Sequence, residues 1–287
     1  MTTVATSATT RAITTLLIDA GNSSLKWALW HNHRLEKIAP VVYQEGSLDH
    51  QLTKAWQLFP KNNVSPTKII LANVAGQQVL DAISLWRDKA FPVKETGDVT
   101  IQNIVALANG YGVTNAYQQP ETLGADRWSA LVATRHYIKT DACIISSGTA
   151  LTIDILTADG KHMGGAIAPG WEMMKSSLVT NTKGITSAEG EVPELLGYNT
   201  QQGVQAGISA ASVGAVKHIL QRFEYDMDTV FSCVVTGGGA PLLLPHLLSL
   251  KYAGTFQHEP DWVLKGLVLL SGAPQNESLD NDSGVVL

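Results

Sequence analysis

The chain carries the same pattern of apolar and polar positions twice. The first copy reads LLIDAGNS from Leu16, and the second reads CIISSGTALTID from Cys143. In each copy an apolar run typical of a buried strand ends in a turn of small residues that includes glycine, and a second apolar run (LKWALW or LTIDIL) follows. The pattern therefore predicts two similar units, each built on a strand, a tight turn and a second strand.

Elsewhere the spacing of apolar residues predicts helices and further strands. A period of three to four residues predicts helices over 51–59, 77–90, 126–138, 170–181 and 200–226, and after Pro260. Short apolar runs predict strands near 39–43 and over 68–74, 162–168 and 231–237. Strands followed by helices, twice over, favour an α/β fold with two similarly built domains.

We expect the two domains to meet in a loop that contains glycine and proline. The first domain is predicted to span residues 14–118 and the second residues 119–272. Segments 1–13 and 273–287 are predicted to be disordered tails, because the first is rich in Ser and Thr and the second is polar and acidic.

The composition is that of an ordinary globular protein. Of 287 residues, 45% are apolar and 16% are charged, and the formal net charge is −5. The sequence has no dense run of Lys and Arg that would predict nucleic-acid binding, no apolar stretch long enough to span a membrane, and no signal-peptide pattern. Cys143 and Cys233 lie in apolar runs, so we expect reduced core cysteines in a cytoplasmic protein.

The turn that follows the first apolar run has the residues of a phosphate-binding loop. It reads Asp19-Ala-Gly-Asn-Ser23, with Lys26 just beyond. Glycine lets backbone N–H groups approach phosphate oxygens closely, and Asp19 is suited to a magnesium ion because hard cations prefer carboxylate oxygens. A simple hairpin turn would use the same Gly and Asn.

The second turn, Gly148-Thr149-Ala150, offers a hydroxyl and a glycine in the same place after a strand. By itself it is also compatible with a plain hairpin. Two such turns in one chain suggest a duplicated fold that holds one nucleotide between its halves. An ATP-using phosphotransferase is therefore the first hypothesis.

Three further motifs carry glycine beside chemically active residues. Gly124-Ala-Asp-Arg127 stands where a loop enters a helix, and Asp126 is either a general base for a hydroxyl or a helix cap. Arg127 is either a surface charge or binds a carboxylate or phosphate through its planar guanidinium group. The glycines of segment 164–170 suggest a pocket wall, and those after Thr236 suggest a turn beside adenosine.

Taken in order, these motifs resemble the markers of type III pantothenate kinases, members of the acetate and sugar kinase/Hsp70/actin superfamily. The markers are Asp-x-Gly-Asn-Thr/Ser, Gly-x-Asp-Arg, Gly-Thr-Ala followed by Thr-x-Asp, and Gly-Gly-x-Ile-x-Pro-Gly. They correspond to residues 19–23, 124–127, 148–154 and 164–170. The resemblance runs from about residue 16 to residue 270, and four motifs in the same order are highly specific.

The resemblance implies a fold and an activity. The fold is α/β, with two ribonuclease-H-like (actin-like ATPase) domains that have mixed sheets and flanking helices. The activity is ATP-dependent phosphorylation of pantothenate to 4'-phosphopantothenate, the first step of coenzyme A biosynthesis, with Mg²⁺ accompanying ATP. The implied assembly is a homodimer whose pantothenate pockets lie at the subunit interface.

It also implies roles for individual residues. Asp126 corresponds to the proton acceptor, and Asp19 belongs to the Mg-ATP site. The implied ATP contacts are Asp19, Ala20, Gly21, Asn22, Ser23, Ser24, Leu25, Lys26 and Thr149. The implied pantothenate contacts are Tyr117, Gly124, Ala125, Asp126, Arg127 and Thr200.

The chain departs from the family pattern at two positions. Ser146 stands where the family commonly has an Asp that binds a monovalent cation, K⁺ or NH₄⁺. The position that corresponds to the cation ligand therefore has no negatively charged side chain in this sequence. Thr236-Gly-Gly-Gly239 stands where Thr-Gly-Gly-Asp/Asn is often found near adenosine.

Two other interpretations of the function are compatible with part of these features. A different kinase or a phosphatase of the superfamily would have the phosphate turns but should lack the combination of Gly-x-Asp-Arg with Gly-Gly-x-Ile-x-Pro-Gly. A regulatory accessory protein would bind the nucleotide without turnover, and the presence of both Asp19 and Asp126 argues against it.

Overall fold

The computed structural model describes residues 14–43, 47–59, 65–93, 97–187 and 189–272, and the predicted tails lie outside the described residues. Its first sheet has the strand order β3-β2-β1-β4-β5. These strands are β1 (Thr15–Ala20), β2 (Ser24–His31), β3 (Arg34–Val42), β4 (Lys68–Asn73) and β5 (Thr100–Asn103). Strands β1 to β3 are antiparallel, and β1, β4 and β5 are parallel.

The second sheet repeats this arrangement with the order β10-β9-β8-β11-β12. Its strands are β8 (Ala142–Ser147), β9 (Ala150–Leu156), β10 (His162–Pro169), β11 (Ser232–Thr236) and β12 (Thr255–His258). Again the first three in sequence are antiparallel and the last two run parallel to β8. A small hairpin, β6 (Asn109–Gly110) and β7 (Val113–Thr114), connects the two halves. The predicted duplication and the mixed sheets are confirmed.

The helices pack on the faces of both sheets. They are α1 (Leu48–Leu58), α2 (Gln77–Ala90), α3 (Ala125–Tyr137), α4 (Trp171–Asn181), α5 (Thr200–Met227), α6 (Ala240–Leu248) and α7 (Trp262–Leu270). The sequence pattern predicted all of them except α6, which contains Pro241 and Pro245. Proline is tolerated in the first turn of a helix, whereas Pro245 inside α6 removes one backbone hydrogen bond and crowds the preceding turn, a cost that the burial of Leu243 and Leu247 offsets. The edge strands β5 and β12 were also not predicted, because each has only four residues.

Helices α3 and α7 lie between the two sheets and give them a shared core. That cluster contains Leu17 and Ile70 of the first sheet, Ile144 of the second, and Trp128 and Leu267 of the two helices. The helices approach so closely that a Cβ at Gly266 would lie 2.0 Å from the Ser129 carbonyl oxygen.

Both ends of α7 are tied to the first sheet. Lys37 Nζ lies 3.0 Å from the carboxylate of Asp261, just before α7, and Lys68 donates to the Ser271 carbonyl at its end. A division at residue 118 remains a prediction. No helix among the described residues has the length and hydropathy of a membrane span.

Candidate active site

The first turn lies at the carboxyl end of β1, where the chain reverses into β2. The Gly21 N–H donates to the Ser24 carbonyl over 3.0 Å, which closes the turn. Because β1 and β2 are antiparallel, Asp19 stands directly opposite Lys26 in the register. A carboxylate and an ammonium group therefore reach the same end of the sheet, beside the exposed side chains of Asn22 and Ser23.

The second turn has the same position in the second sheet, between β8 and β9. The Gly148 N–H donates to the Ala150 carbonyl over 2.9 Å, and the Gly170 N–H donates to the Thr149 carbonyl over 2.9 Å. A Cβ at Gly170 would lie 2.1 Å from the Gly148 carbonyl oxygen, so only glycine allows the segment before α4 to pass this close. Gly170 thus supports the turn, but residues 164–170, predicted to form a pocket wall, are not among those that line the cleft between the two turns.

The two turns face each other across a cleft of about 430 Å³, here called the central cleft. The Ser23 and Thr149 hydroxyls are hydrogen-bonded at 2.7 Å across it. Predicted site residues that line the cleft are Asp19, Gly21, Asn22, Ser23, Ser24, Lys26, Asp126, Ser146 and Thr149. Gly237, Gly238 and Gly239 line it as well.

The electrostatics of the cleft centre on two carboxylates. Burial and the negative charge of Asp126, opposed by Lys26, raise the pKa of Asp19 to about 7. Burial also raises the pKa of Asp126, although the Arg127 N–H donates to its Oδ1 over 2.8 Å. Two acidic groups held near each other with raised pKa values favour a cation or a proton in this cleft.

Arg127 follows Asp126 on α3, is buried and is not among the residues that line the central cleft. Its guanidinium makes a bidentate pair with Asp154, with Nε–Oδ2 at 2.9 Å and Nη2–Oδ1 at 2.6 Å. Its Nη1 donates to the Tyr117 hydroxyl over 2.6 Å. Tyr117 and Arg127 thus form one hydrogen-bonded unit next to Asp126. Gly124 lies two residues before Asp126 and lets its carboxylate fold back, since a Cβ at Gly124 would lie 2.6 Å from Asp126 Oδ1.

Other predicted residues lie outside the cleft lining. Ala20, Leu25 and Ala125 are buried, and the Ala20 carbonyl accepts a hydrogen bond from the Val74 N–H over 3.0 Å. Thr200 lines a separate apolar groove of about 720 Å³ between α4 and α5. The groove also contains Met173, Met174 and Val204, and we call it the apolar groove. Thr200 is not among the residues that line the central cleft.

Ser146 is the last but one residue of β8 and lines the central cleft. In the register of the sheet it stands beside Thr152 of β9 and Thr236 of β11. Three neutral hydroxyl-bearing residues therefore cross the sheet at one level. The structure places no carboxylate in this row, in accordance with the departure noted in the sequence.

Several cleft residues were not singled out from the sequence. Among them are Trp171, Glu172, Leu242, Asp261 and Val263. Trp171 is the first residue of α4, and its Nε1 donates to Gln205 Oε1 over 3.0 Å. A signal for it was present, since Pro169-Gly170 marks a sharp entry to a helix beside the second turn. Asp261 comes from the far end of the chain, and nothing local indicated its position.

Comparisons with known proteins agree with this arrangement. The sequence profile of the type III pantothenate kinase family matches residues 15–222. A type III pantothenate kinase from Nitrosococcus oceani is 36% identical over 258 residues, covering 88% of this chain and 91% of that protein.

Two solved structures with low sequence identity have a similar fold. One, described as a 2-dehydro-3-deoxygalactonokinase from Sinorhizobium meliloti, has a TM-score of 0.57 at 14% identity, over 89% of this chain and 97% of that one. MreB 5 of Spiroplasma citri bound to AMPPNP has a TM-score of 0.51 at 7% identity, over 91% and 96%. They support the predicted two-domain, actin-like fold class. By sequence, the chain belongs to the type III pantothenate kinase family, and it is an enzyme that phosphorylates pantothenate.

Proposed function

We propose that this family's reaction, transfer of the terminal phosphate of ATP to the hydroxyl of pantothenate, takes place in the central cleft with Asp126 as the proton acceptor. The product is 4'-phosphopantothenate, which enters coenzyme A biosynthesis. One observation carries the proposal: Asp126 reaches the same cleft as both phosphate-type turns, although it lies on a helix that belongs to neither. A general base must lie beside the phosphate that its substrate attacks.

The nucleotide is held by the two turns. The Ser23 and Thr149 hydroxyls and the backbone N–H groups of the first turn give neutral hydrogen-bond donors, and Lys26 gives a positive charge. Residues 237–239 line the cleft beside them, and glycine at 237 lets this segment pack against β8, since a Cβ there would lie 2.3 Å from the Ser147 carbonyl oxygen. The donors on this side suit the phosphates and the glycine-lined wall suits the adenosine.

Magnesium fits the acidic side of the cleft. The pKa of Asp19 is raised to about 7 mainly by burial and also by the negative charge of Asp126, and a divalent cation bound there would stabilise the charged carboxylate. Bound magnesium supplies neutralisation of the charge that develops on the phosphate oxygens. Asp19 would hold it together with the phosphates of ATP.

Asp126 acts on the acceptor. Its carboxylate is half-buried and has a raised pKa, which makes it a stronger base than an exposed aspartate. The Arg127 N–H fixes one of its oxygens, Oδ1. The other oxygen, Oδ2, is the one we assign to the acceptor hydroxyl proton.

The acceptor is bound by residues around Asp126. Tyr117 and Arg127 form one hydrogen-bonded unit, and Gly124 and Ala125 provide the backbone that leads into α3. An Arg guanidinium keeps N–H donors for a carboxylate such as that of pantothenate. These residues lie next to the base, as the acceptor hydroxyl requires.

We propose that Thr200 contributes to the pantothenate site of a second subunit. We infer a homodimer because α5 carries a stripe of small residues over 206–216 and Leu195, Leu196 and Tyr198 before it are exposed. Small residues let two helices approach closely, and exposed apolar side chains next to an apolar groove are typical of an interface between subunits. In such a dimer Thr200 would complete the pantothenate site of the partner.

A monovalent cation, if bound, would lie at the hydroxyl row of Ser146, Thr152 and Thr236. These oxygens carry no formal charge, and potassium binds weakly to neutral oxygens unless several converge. We therefore assign this protein a weak dependence on K⁺ or NH₄⁺. Ser146 would serve mainly to support the turn.

The test of the activity is ADP release from Mg-ATP with and without pantothenate, with the product identified by mass. ADP release that depends on pantothenate, with 4'-phosphopantothenate formed in equal amount, is the expected result. Release that is independent of pantothenate would indicate a phosphatase of the superfamily. Nucleotide binding without any turnover would indicate an accessory protein.

A further inference from the structure

Asp154 of β9 is a buried carboxylate that does not line the central cleft. It accepts three hydrogen bonds, from Arg127 Nε at 2.9 Å, Arg127 Nη2 at 2.6 Å and His162 Nε2 at 2.9 Å. Its side chain is 3% exposed. Burial alone would raise the pKa of Asp154, but the hydrogen bonds from His162 and Arg127 outweigh burial and lower it. The carboxylate is therefore a fixed, charged acceptor.

His162 connects this carboxylate to the loop of Tyr117. Its Nδ1 faces the N–H of Ala116 at 3.5 Å, which assigns the ring proton to Nε2, the atom that faces Asp154. The ring of His162 is fully buried and stacks on Tyr117, with centroids 6.2 Å apart and planes at 19°. A series of hydrogen bonds thus connects His162 to Asp154, Asp154 to Arg127 and Arg127 to Tyr117, and the ring contact between Tyr117 and His162 closes the network.

Tyr117 is held from three directions. Arg127 Nη1 donates to its hydroxyl, its own N–H donates to Asn115 Oδ1 over 3.0 Å, and His162 covers one face of the ring. Arg127 uses three of its five N–H groups in the contacts with Asp154 and Tyr117, so two N–H groups remain. Both side chains are therefore ordered before any substrate arrives.

We infer that Asp154 and His162 are positioning residues for pantothenate, because together they fix Arg127 and Tyr117 in the orientation that binds it. The inference rests on the proposed function, which places Arg127 and Tyr117 against pantothenate. Two long side chains that are already ordered lose little entropy on binding, so the affinity for the acceptor rises. ATP, which binds the two turns, gains nothing from this network.

Gly165 of β10 shows how tightly the network is enclosed. A Cβ there would lie 2.2 Å from both Arg127 Nη2 and Asp154 Oδ1. Alanine at this position must therefore push the ion pair apart. Gly165→Ala probes the geometry of the pair without removing either charge, whereas a change of Asp154 would leave Arg127 buried without its partner.

The experiment compares four variants with the wild type. His162→Leu removes the donor to Asp154, His162→Gln restores an N–H donor, and Gly165→Ala displaces the ion pair. Gly184→Ala is the matched control, because a Cβ there has no neighbour within 4 Å. We measure kcat, the KM for pantothenate, the KM for ATP and the unfolding temperature of each variant.

We expect the pantothenate KM to rise roughly 10- to 100-fold in His162→Leu and Gly165→Ala, since a misplacement of about 1 Å can cost 10²-fold. The KM for ATP should stay within about threefold, and His162→Gln should recover most of the loss, since it restores the hydrogen bond. A lower unfolding temperature with an unchanged pantothenate KM would overturn the inference and leave a purely structural network. If Gly165→Ala does not fold, the comparison of His162→Leu with His162→Gln still tests the inference. Failure of the proposed function is distinct, because the wild type would then not phosphorylate pantothenate at all.

Discussion

The Ser23 and Thr149 hydroxyls lie 2.7 Å apart although they belong to different sheets. Each is in the turn that follows the first strand of its own sheet, between β1 and β2 or between β8 and β9. The contact joins the two turns across the central cleft. A group that binds both turns therefore meets two hydroxyls at once.

Loss of these hydroxyls should weaken ATP binding in a coupled way. We expect Ser23→Ala and Thr149→Val each to raise the KM for ATP about fivefold, since one hydrogen bond is worth about 1 kcal/mol. The double variant should show less than the product of the two effects, because the hydroxyls contact each other. Thr140 and Ser232 form a similar pair at 2.9 Å outside the cleft lining, so Thr140→Val and Ser232→Ala are the controls. Independent effects at Ser23 and Thr149 would contradict a shared site.

Asp126→Asn should abolish most of the turnover. The amide keeps the size of the side chain but cannot accept the proton, and loss of a general base typically costs about 10²- to 10⁴-fold in kcat. ATP affinity and the unfolding temperature should change little. Asp226→Asn, at an exposed i,i+4 ion pair on α5, is the control. Near-wild-type kcat in Asp126→Asn would remove Asp126 from the mechanism.

Asp19→Asn should shift the magnesium dependence of the reaction to higher concentrations, since a neutral oxygen replaces the charged one.

The same variant tests the raised pKa of Asp19 in metal-free buffer with EDTA. The folded protein holds this proton up to about pH 7, whereas an unfolded Asp releases it near pH 3.9. The contribution of Asp19 to the free energy of unfolding is thus fully present below about pH 4 and is lost as the pH rises towards 7.

Urea unfolding between pH 4.5 and 7 measures this contribution. The slope assigned to Asp19 is at most about 1.4 kcal/mol per pH unit, and Asp19→Asn should flatten it. An identical pH dependence in both proteins would show that Asp19 titrates normally. A magnesium titration curve that does not move would separately exclude Asp19 from the cation site.

Ser146→Asp should increase the response to potassium. A carboxylate in the hydroxyl row supplies the charge that a monovalent cation needs, whereas the serine offers only a neutral oxygen. Activity is measured in sodium, potassium and ammonium buffers at matched ionic strength. Strong activation of the wild type by potassium, no smaller than that of Ser146→Asp, would show that the site does not depend on this carboxylate.

Gly207→Arg should convert an active dimer into an inactive monomer. A Cβ at Gly207 has no neighbour within 4 Å in one protomer, so the fold should tolerate the change, but the position lines the apolar groove. Gln221→Arg adds the same charge on an exposed part of the same helix and is the control. Sedimentation and pantothenate KM are measured together. A wild type that is active as a monomer would contradict the proposed dimer.

The sequence was sufficient for much of the fold because its apolar pattern repeats. Helix α2 has the predicted bounds, 77–90, since its apolar spacing is regular and glycine precedes it. The turns at Gly21 and Gly148 were found from their small residues, and both line the cleft.

Contacts that depend on strand pairing could not be predicted. Asp154 was visible as part of a motif, but its partners Arg127 and His162 meet it only once β9 has paired with β10 and α3 has packed on the sheet. The need for glycine at 165 follows from the same packing. Asp261 likewise reaches the cleft only through the return of α7 to the first sheet.

The return of α7 has a consequence for synthesis on the ribosome. The face of the first sheet that includes Leu17 and Ile70 is covered partly by Leu267 and its neighbours, near the end of the described chain. Proteins are made from the N-terminus, so a nascent chain carries this apolar face without that cover until α7 has been synthesised. That part of the face can contact other chains during this interval, and a premature stop before residue 262 would remove the cover that α7 provides.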